Sequence, residues 1–339
     1  MKIIIPMAGR GSRLRPHTLT VPKPLIPIAG KPIVHRLAED ITRLSQEKID
    51  EIVFITGDFG KDVEEKLVEI ATKLGAKGTI YRQDKPLGTA HAIYQAKDSI
   101  TGPVIIAFAD TLFKADFELN TESDGVIWVK SVEDPSSFGV VELDNEGVIN
   151  KFHEKPQEFI SDLAIIGIYY IKDGDKLRTE IEDLLSDEAN MRKGEYQLTD
   201  VLENLKSQGI KFTTGKVDEW MDCGNKTVTV ETNTKVLGFE KELLKEIPAS
   251  SSVTTSLIIE PCFIGENVII ENSKIGPNVS IGNGTVIRNS NIDNSLIQEN
   301  TSIDHGNLTN SMIGNKAEYY GVSRNISLGD FSILDFNSK

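Results

Sequence analysis

An α/β domain built on a mostly parallel, mixed sheet, followed by a small parallel β-helix, is the fold this sequence predicts. Three observations lead there. Short apolar runs alternate with helix-like segments from residue 1 to about 240, aliphatic residues recur at a fixed short period in the last hundred residues, and 339 residues exceed one compact core of ordinary size. The expected boundaries are residues 1–240 for the α/β domain, 241–257 for a connector and 258–339 for the β-helix with a C-terminal cap.

In the first domain, the runs Ile3 to Ile5, Ile52 to Ile55, Thr79 to Tyr81, Val104 to Ala109 and Gly125 to Val129 read as strands. They are continuous apolar runs, as strands covered on both faces must be. Between them, Lys61 to Leu74 and Thr89 to Lys97 carry apolar residues at helical spacing. In the second domain the aliphatic positions are Ile258, Ile264, Ile270, Ile275, Ile281, Ile287, Ile292, Ile297, Ile303, Leu308 and Ile313, so that every step is six or five residues. One inward aliphatic per flat side is what a triangular parallel β-helix requires. Ile264-Gly265, Ile275-Gly276 and Ile281-Gly282 place glycine at tight corners. Four of the five shortened steps read Asn-Ser-x-Ile, from Asn272, Asn289, Asn294 and Asn310, and are read as modified corners. Tyr319 to Lys339 is expected to cap the open end of three to four coils.

Composition narrows the function. A net charge of −14 argues against a general nucleic-acid binder. Positive charge is nevertheless segregated, because residues 1–38 hold seven Lys or Arg and no Asp or Glu. An anionic ligand is expected there. Cys223 and Cys262 are far apart and have no Cys/His cluster around them, so neither a disulfide framework nor a zinc site is indicated. No apolar stretch approaches the ~20 residues that span a bilayer, and the N-terminus lacks a signal-peptide layout, so a cytoplasmic protein without a membrane partner is expected.

The loop Ala8-Gly9-Arg10-Gly11-Ser12-Arg13 follows the first strand, where its backbone N–H groups can form an anion-binding nest. A third glycine is absent, and Pro16, Pro22, Pro24 and Pro27 preclude a long helix after it, which disfavours a dinucleotide site or a P-loop. Arg13, Arg15 and Lys23 lie on this proline-stiffened segment.

Gly-Ser-Arg-Leu-Arg-Pro followed by Lys23-Pro24-Leu25-Ile26-Pro27 resembles the pyrophosphorylase motif of the sugar-1-phosphate nucleotidyltransferases. The resemblance covers nearly the whole chain, and is closest to the glucose-1-phosphate thymidylyl- and uridylyltransferases that carry a C-terminal left-handed β-helix. It implies a Rossmann-like nucleotidyltransferase domain, an NTP and a sugar 1-phosphate as substrates, Mg²⁺ as cofactor and assembly as a homo-oligomer. Gln83-Asp-Lys-Pro-Leu-Gly-Thr-Ala90 resembles the base-recognition segment, so Gln83 and Gly88 join Ala8, Gly9, Gly11 and Ser12 as nucleotide-binding candidates. Asp110 matches the family's metal ligand, and Trp220-Met221-Asp222-Cys223-Gly224 supplies a second carboxylate, Asp222. Phe138-Gly139-Val140-Val141 and Lys151 to Pro156 resemble the sugar-phosphate segments, which makes Gly139, Glu154 and Lys155 candidates; Gly167 and Glu195 join them. Arg13, Lys23, Asp110, Lys155 and Asp222 form the expected catalytic set.

Ile166 departs from the family pattern, where Thr or Asn is common, and this removes a polar contact near the sugar. Gln83 and the run Ile5-Pro6-Met7-Ala8-Gly9 point to dTTP or UTP with glucose 1-phosphate, with GTP and mannose 1-phosphate as the alternative pair. A non-catalytic regulatory or scaffold relative would be expected to have lost charged site residues, and all five stand here. His305 is the only histidine of the solenoid and reads as a corner residue, so a structural or oligomerising role is expected for the β-helix.

Overall fold

The computed structural model describes residues 1–339 except 46, 116–118, 322–325 and 336–339. The chain divides into two compact units, Met1–Gly9 with His35–Trp220, and Arg10–Val34 with Met221–Lys339. No helix among the described residues is long and apolar enough to cross a membrane.

The first unit is built on a nine-stranded mixed sheet. Its strands are β1 (Lys2–Pro6), β2 (Glu51–Thr56), β3 (Lys77–Arg82), β4 (Val104–Ala107), β5 (Gly125–Ser131), β6 (Gly139–Leu143), β7 (Ile149–Glu154), β8 (Leu163–Ile171) and β9 (Phe212–Lys216). The main path runs β7-β6-β8-β4-β1-β2-β3, with β5 pairing β8 and β9. The four strands β4, β1, β2 and β3 are mutually parallel. Alternate residues of β1 point to opposite faces, yet Ile3, Ile4 and Ile5 are all fully buried, which explains the unbroken apolar run. The helix Lys61–Lys73 lies close on β3, because a Cβ at Gly78 would sit 2.8 Å from Val68 Cα.

Two expected elements are shorter in the structure. The strand expected over Val104 to Ala109 ends at Ala107. Antiparallel β8 shifts register between Ile165 and Tyr169, and Phe108 N donates across that bulge to Gly167 O at 3.0 Å. The helix expected over Thr89 to Lys97 is α-helical only to Tyr94 and continues in bonds three residues apart, such as Lys97 N to Tyr94 O. Buried Ala96 and Ile100 keep the apolar stripe while the bonding tightens, and apolar spacing does not register that change.

The second unit contains a left-handed β-helix of three parallel ladders. One ladder stacks Val253, Ile270, Ile287, Ile303, Tyr319 and Leu334 in register. Another stacks Ile258, Ile275, Ile292 and Leu308, and the third Ile264, Ile281, Ile297, Ile313 and Leu328. Each step of the sequence repeat is thus one inward rung. The ladders begin at Ser252–Thr254 and run on to Ile333–Asp335, through the stretch expected as a cap. The extension is possible because Tyr319, fully buried, takes an inward position held by isoleucine elsewhere.

The shortened steps are corners. Asn272, Asn289, Asn294 and Asn310 all have positive φ, between 43° and 49°, a region that Asn tolerates better than other side-chain-bearing residues. Their amides also tie coils together, as Asn272 Nδ2 donates to Asn289 Oδ1 at 2.8 Å. His305 occupies the same kind of corner, with φ of 54°.

Candidate active site

Three of the four parallel strands of the first unit, β4, β1 and β3, lead into candidate residues. Ala8 and Gly9 follow β1, Gln83 follows β3, and Asp110 follows β4 after a short turn. The C-terminal edge of a parallel sheet is where ligands of open α/β folds collect. Gln83 is held in place: its N donates to Thr56 O at 2.8 Å, and its Nε2 donates to Gly88 O at 3.2 Å and to His91 Nδ1 at 3.0 Å. With the amide nitrogen engaged twice, Oε1 is left as the hydrogen-bonding atom of that side chain, an acceptor. Burial, with a smaller contribution from the Lys85 charge, holds the His91 pKa below its ordinary value, and the tautomer with its proton on Nε2 accepts from Gln83 at Nδ1.

Gly88 is required where it stands. Its φ is +103°, and a Cβ there would lie 2.6 Å from Tyr196 N and 3.0 Å from Glu195 Cβ. Tyr196 N donates to Leu87 O at 2.8 Å and Ala90 N to Tyr196 O at 3.0 Å. The base-loop candidate Gly88 and the sugar candidate Glu195 are therefore neighbours. Gln197 Nε2 donates to Glu195 Oε2 at 2.9 Å.

The other sugar-phosphate candidates gather around Glu154. A Cβ on Gly139 would be 3.4 Å from Glu154 Oε2 and 3.4 Å from Thr199 Cγ2. Thr199 Oγ1 donates to Glu154 Oε2 at 3.1 Å, and Lys155 Nζ is 3.4 Å from Glu154 Oε1. Lys155 is exposed and adopts φ of +45°, a conformation costly for a long side chain and characteristic of functional loops. Gly167 forms the β8 bulge beside Phe108 and Thr111, and Thr111 Oγ1 donates to Ile166 O at 2.9 Å. Burial, then the charges of Glu154 and Asp110, push the buried Tyr169 phenol up.

The remaining candidates belong to the second unit. Gly11 has φ of +64° and precedes the short turn Ser12–Leu14; a Cβ there would lie 2.7 Å from Lys23 Cβ. Gly11 O accepts from Leu14 N at 3.0 Å and from Thr18 Oγ1 at 2.8 Å. Ser12 and Arg13 are exposed, whereas Lys23 is buried at the start of the turn Lys23–Leu25. Asp222 ends the strand Glu219–Asp222, and its O accepts from Thr232 Oγ1 at 2.7 Å. The carboxylate of Asp222 rests over Gly224, where a Cβ would be 2.7 Å from Oδ2.

The sequence profile described as "Nucleotidyl transferase" matches residues 2–238. The chain belongs to the nucleotidyl transferase family. Among the relatives within it, "Bifunctional protein GlmU" of Methanococcus maripaludis is 32% identical over 263 residues, covering 77% of this chain and 60% of the relative. The chain thus spans about three fifths of the length of that relative. "Low-salt glycan biosynthesis nucleotidyltransferase Agl11" of Haloferax volcanii is 31% identical over 269 residues, covering 77% of this chain and 72% of the relative. A structure from Bacillus anthracis assigned as a glucose-1-phosphate thymidylyltransferase, in complex with sucrose, aligns with TM-score 0.60 and 28% identity over 69% of this chain and 94% of that one. UDP-glucose pyrophosphorylase complexed with UDP-glucose aligns with TM-score 0.57 over 70% of this chain and 98% of that one; at 24% identity it speaks for the fold alone.

Two residues of the family domain were not singled out from sequence, His91 and Thr199. His91 stands three positions after Gly88 on the first turn of a helix, and Thr199 stands four positions after Glu195, so spacing was available as a signal. What spacing lacks is the hydrogen bond each makes. Among the described residues no group of three or more His, Cys, Asp or Glu gathers as a metal centre.

Proposed function

We propose that this protein transfers a nucleotidyl group from a nucleoside triphosphate to a sugar 1-phosphate, releasing pyrophosphate, with dTTP or UTP and glucose 1-phosphate as substrates. The observation that carries this reading is the end of the parallel sheet, where Gly9, Gln83 and Asp110 follow three of its four parallel strands, in a segment that matches the family throughout. The pinned Gln83 amide supports the choice of base. An acceptor at Gln83 Oε1 suits the imide N–H of uracil or thymine and opposes the ring acceptors of cytosine and adenine. The likeness to the Bacillus anthracis structure supports the sugar.

The chemistry needs no protein nucleophile. The sugar phosphate is anionic near neutral pH, so its oxygen can attack the α-phosphorus while the bond to the β-phosphate breaks and the electron pair leaves with pyrophosphate. The protein's task is to align and to neutralise charge. In this reading Arg13 and the amides around Gly9 and Gly11 stabilise the departing pyrophosphate, and Lys23 and Lys155 hold the two reacting phosphates in line. Glu154, oriented by Thr199, accepts from sugar hydroxyls. Asp110 and Asp222 would hold Mg²⁺, which when bound supplies charge neutralisation at the phosphates and a template for both substrates.

The test is pyrophosphate release with Mg²⁺ across dTTP, UTP, GTP, ATP and CTP, each with glucose, mannose, galactose and N-acetylglucosamine 1-phosphates. Release that requires both substrates and prefers dTTP or UTP with glucose 1-phosphate is expected. Folded protein that releases nothing with any pair would remove the reading. Replacing Lys155 by alanine is expected to raise the KM for the sugar 1-phosphate by about tenfold or more, from the loss of one charge-assisted contact, with the nucleotide KM nearly unchanged. A rise confined to the nucleotide KM would move Lys155 to the other substrate.

A further inference from the structure

The segment Arg10–Val34 contains five prolines and no α-helix before Ile33, only two three-residue turns and a two-residue hairpin pair. Such a segment cannot fix its own shape by backbone bonding, so its conformation is set by what it packs against. In its unit that partner is largely the β-helix. Near one end of the segment, Gly30 (φ +82°) lies against the ring of Phe263, so closely that a Cβ would overlap it. Ala29 N donates to Asn233 Oδ1 at 2.9 Å, and the same oxygen accepts from Ser280 Oγ at 2.7 Å. Near the other end, His17 Nε2 is 2.6 Å from Ser327 Oγ, Thr20 Oγ1 donates to the Asp330 carboxylate, and a Cβ on Gly329 would be 2.8 Å from Pro16 Cβ. His17 is fully buried, and its Nδ1 has no hydrogen-bond partner among the described residues. A polar ring sealed into an interface with one bond, to Ser327, ties the loop to that serine.

We infer that the last coil of the β-helix, through Ser327 and Asp330, is a positioning element for the Arg13 loop, so that the solenoid sets where the triphosphate is gripped. The inference rests on the reading of that loop as the nucleotide-phosphate site. Ser327 and Asp330 touch no substrate in this scheme; they act through His17 and Thr20, which stand four and seven residues from Arg13. Burial, then the Lys226 charge, push the His17 pKa down to about 4, so the ring stays neutral and the tie to Ser327 persists at ordinary pH.

The experiment compares full-length wild-type protein with Ser327→Ala, Asp330→Asn, the double variant, Ser327→Thr and, as a control of the loop itself, Arg13→Ala. It measures KM for dTTP and for UTP, KM for glucose 1-phosphate, kcat, Tm, and hydrogen exchange of the peptide covering residues 12–20. The double variant is expected to raise the nucleotide KM by about tenfold, because small misplacements of a positioning loop are costly, while the sugar-phosphate KM and Tm hold. Exchange over 12–20 should quicken, and Ser327→Thr, which keeps the hydroxyl, should restore wild-type behaviour. Nucleotide KM unchanged in the double variant, or both KM values rising together with a fall in Tm, overturns the inference. If Arg13→Ala raises the nucleotide KM and the coil variants do not, only the inference fails; if Arg13→Ala is silent, the reading of the loop fails.

Discussion

Asp110→Asn is expected to lower turnover by about a thousandfold while the protein keeps its fold. The substitution preserves size and shape at a half-buried position just beyond β4 and removes one unit of negative charge. A metal held by few protein carboxylates loses much of its protein-derived attraction when one is neutralised, and the transition-state stabilisation at stake is several kcal/mol, which converts to about that loss in rate. Steady-state pyrophosphate release together with a circular-dichroism melt checks both halves of the expectation. Turnover within about tenfold of wild type, in protein that melts normally, would take Asp110 out of the metal site.

Gly88→Ala is expected to be the most damaging small substitution in the first unit. The added methyl carbon would sit 2.6 Å from Tyr196 N, against backbone that cannot rotate away, at a φ of +103° that alanine rarely adopts. Strain and overpacking together are expected to cost about 3 kcal/mol, visible as a lower urea midpoint with an unchanged slope. The loop that yields carries Gly88 O, one of two acceptors that fix the Gln83 amide, so discrimination among nucleobases should weaken along with stability. A variant with normal stability and undiminished preference among the five triphosphates would show that neither the close approach nor the amide anchor matters.

The repeat of the second unit was readable almost residue by residue, because a solenoid buries one side chain per rung and every rung obeys the same rule. Its ends were not. Val253 and Tyr319 occupy inward positions without belonging to the isoleucine pattern, so the ladders extend further in both directions than aliphatic spacing alone implies. In the first unit, continuous apolar runs located β1 to β5, but the end of β4 depended on a bulge in β8, sixty residues later in the chain. Among site residues, the glycines and charged motifs stood out because their chemistry is unusual in a loop. His91 and Thr199 did not, since a histidine or threonine in an amphipathic helix is ordinary until its partner is known. The grouping of residues 10–34 with the β-helix was likewise hidden, because it rests on contacts such as Pro16 with Gly329 that no local pattern encodes.

Phe263 and Ser327 stand on the same ladder, on its first and last strands, four strand spacings apart. At about 4.8 Å per spacing the two anchors of the loop are separated by about 19 Å along the solenoid. Repeat proteins ordinarily gain or lose whole units with little penalty, since each unit meets only its neighbours. Here such a change between residues 264 and 327 would move one anchor a full strand spacing from the other. Repeat number between the two anchors is therefore a gauge length, cut to the span of the segment it holds, and the solenoid is free to lengthen only outside them.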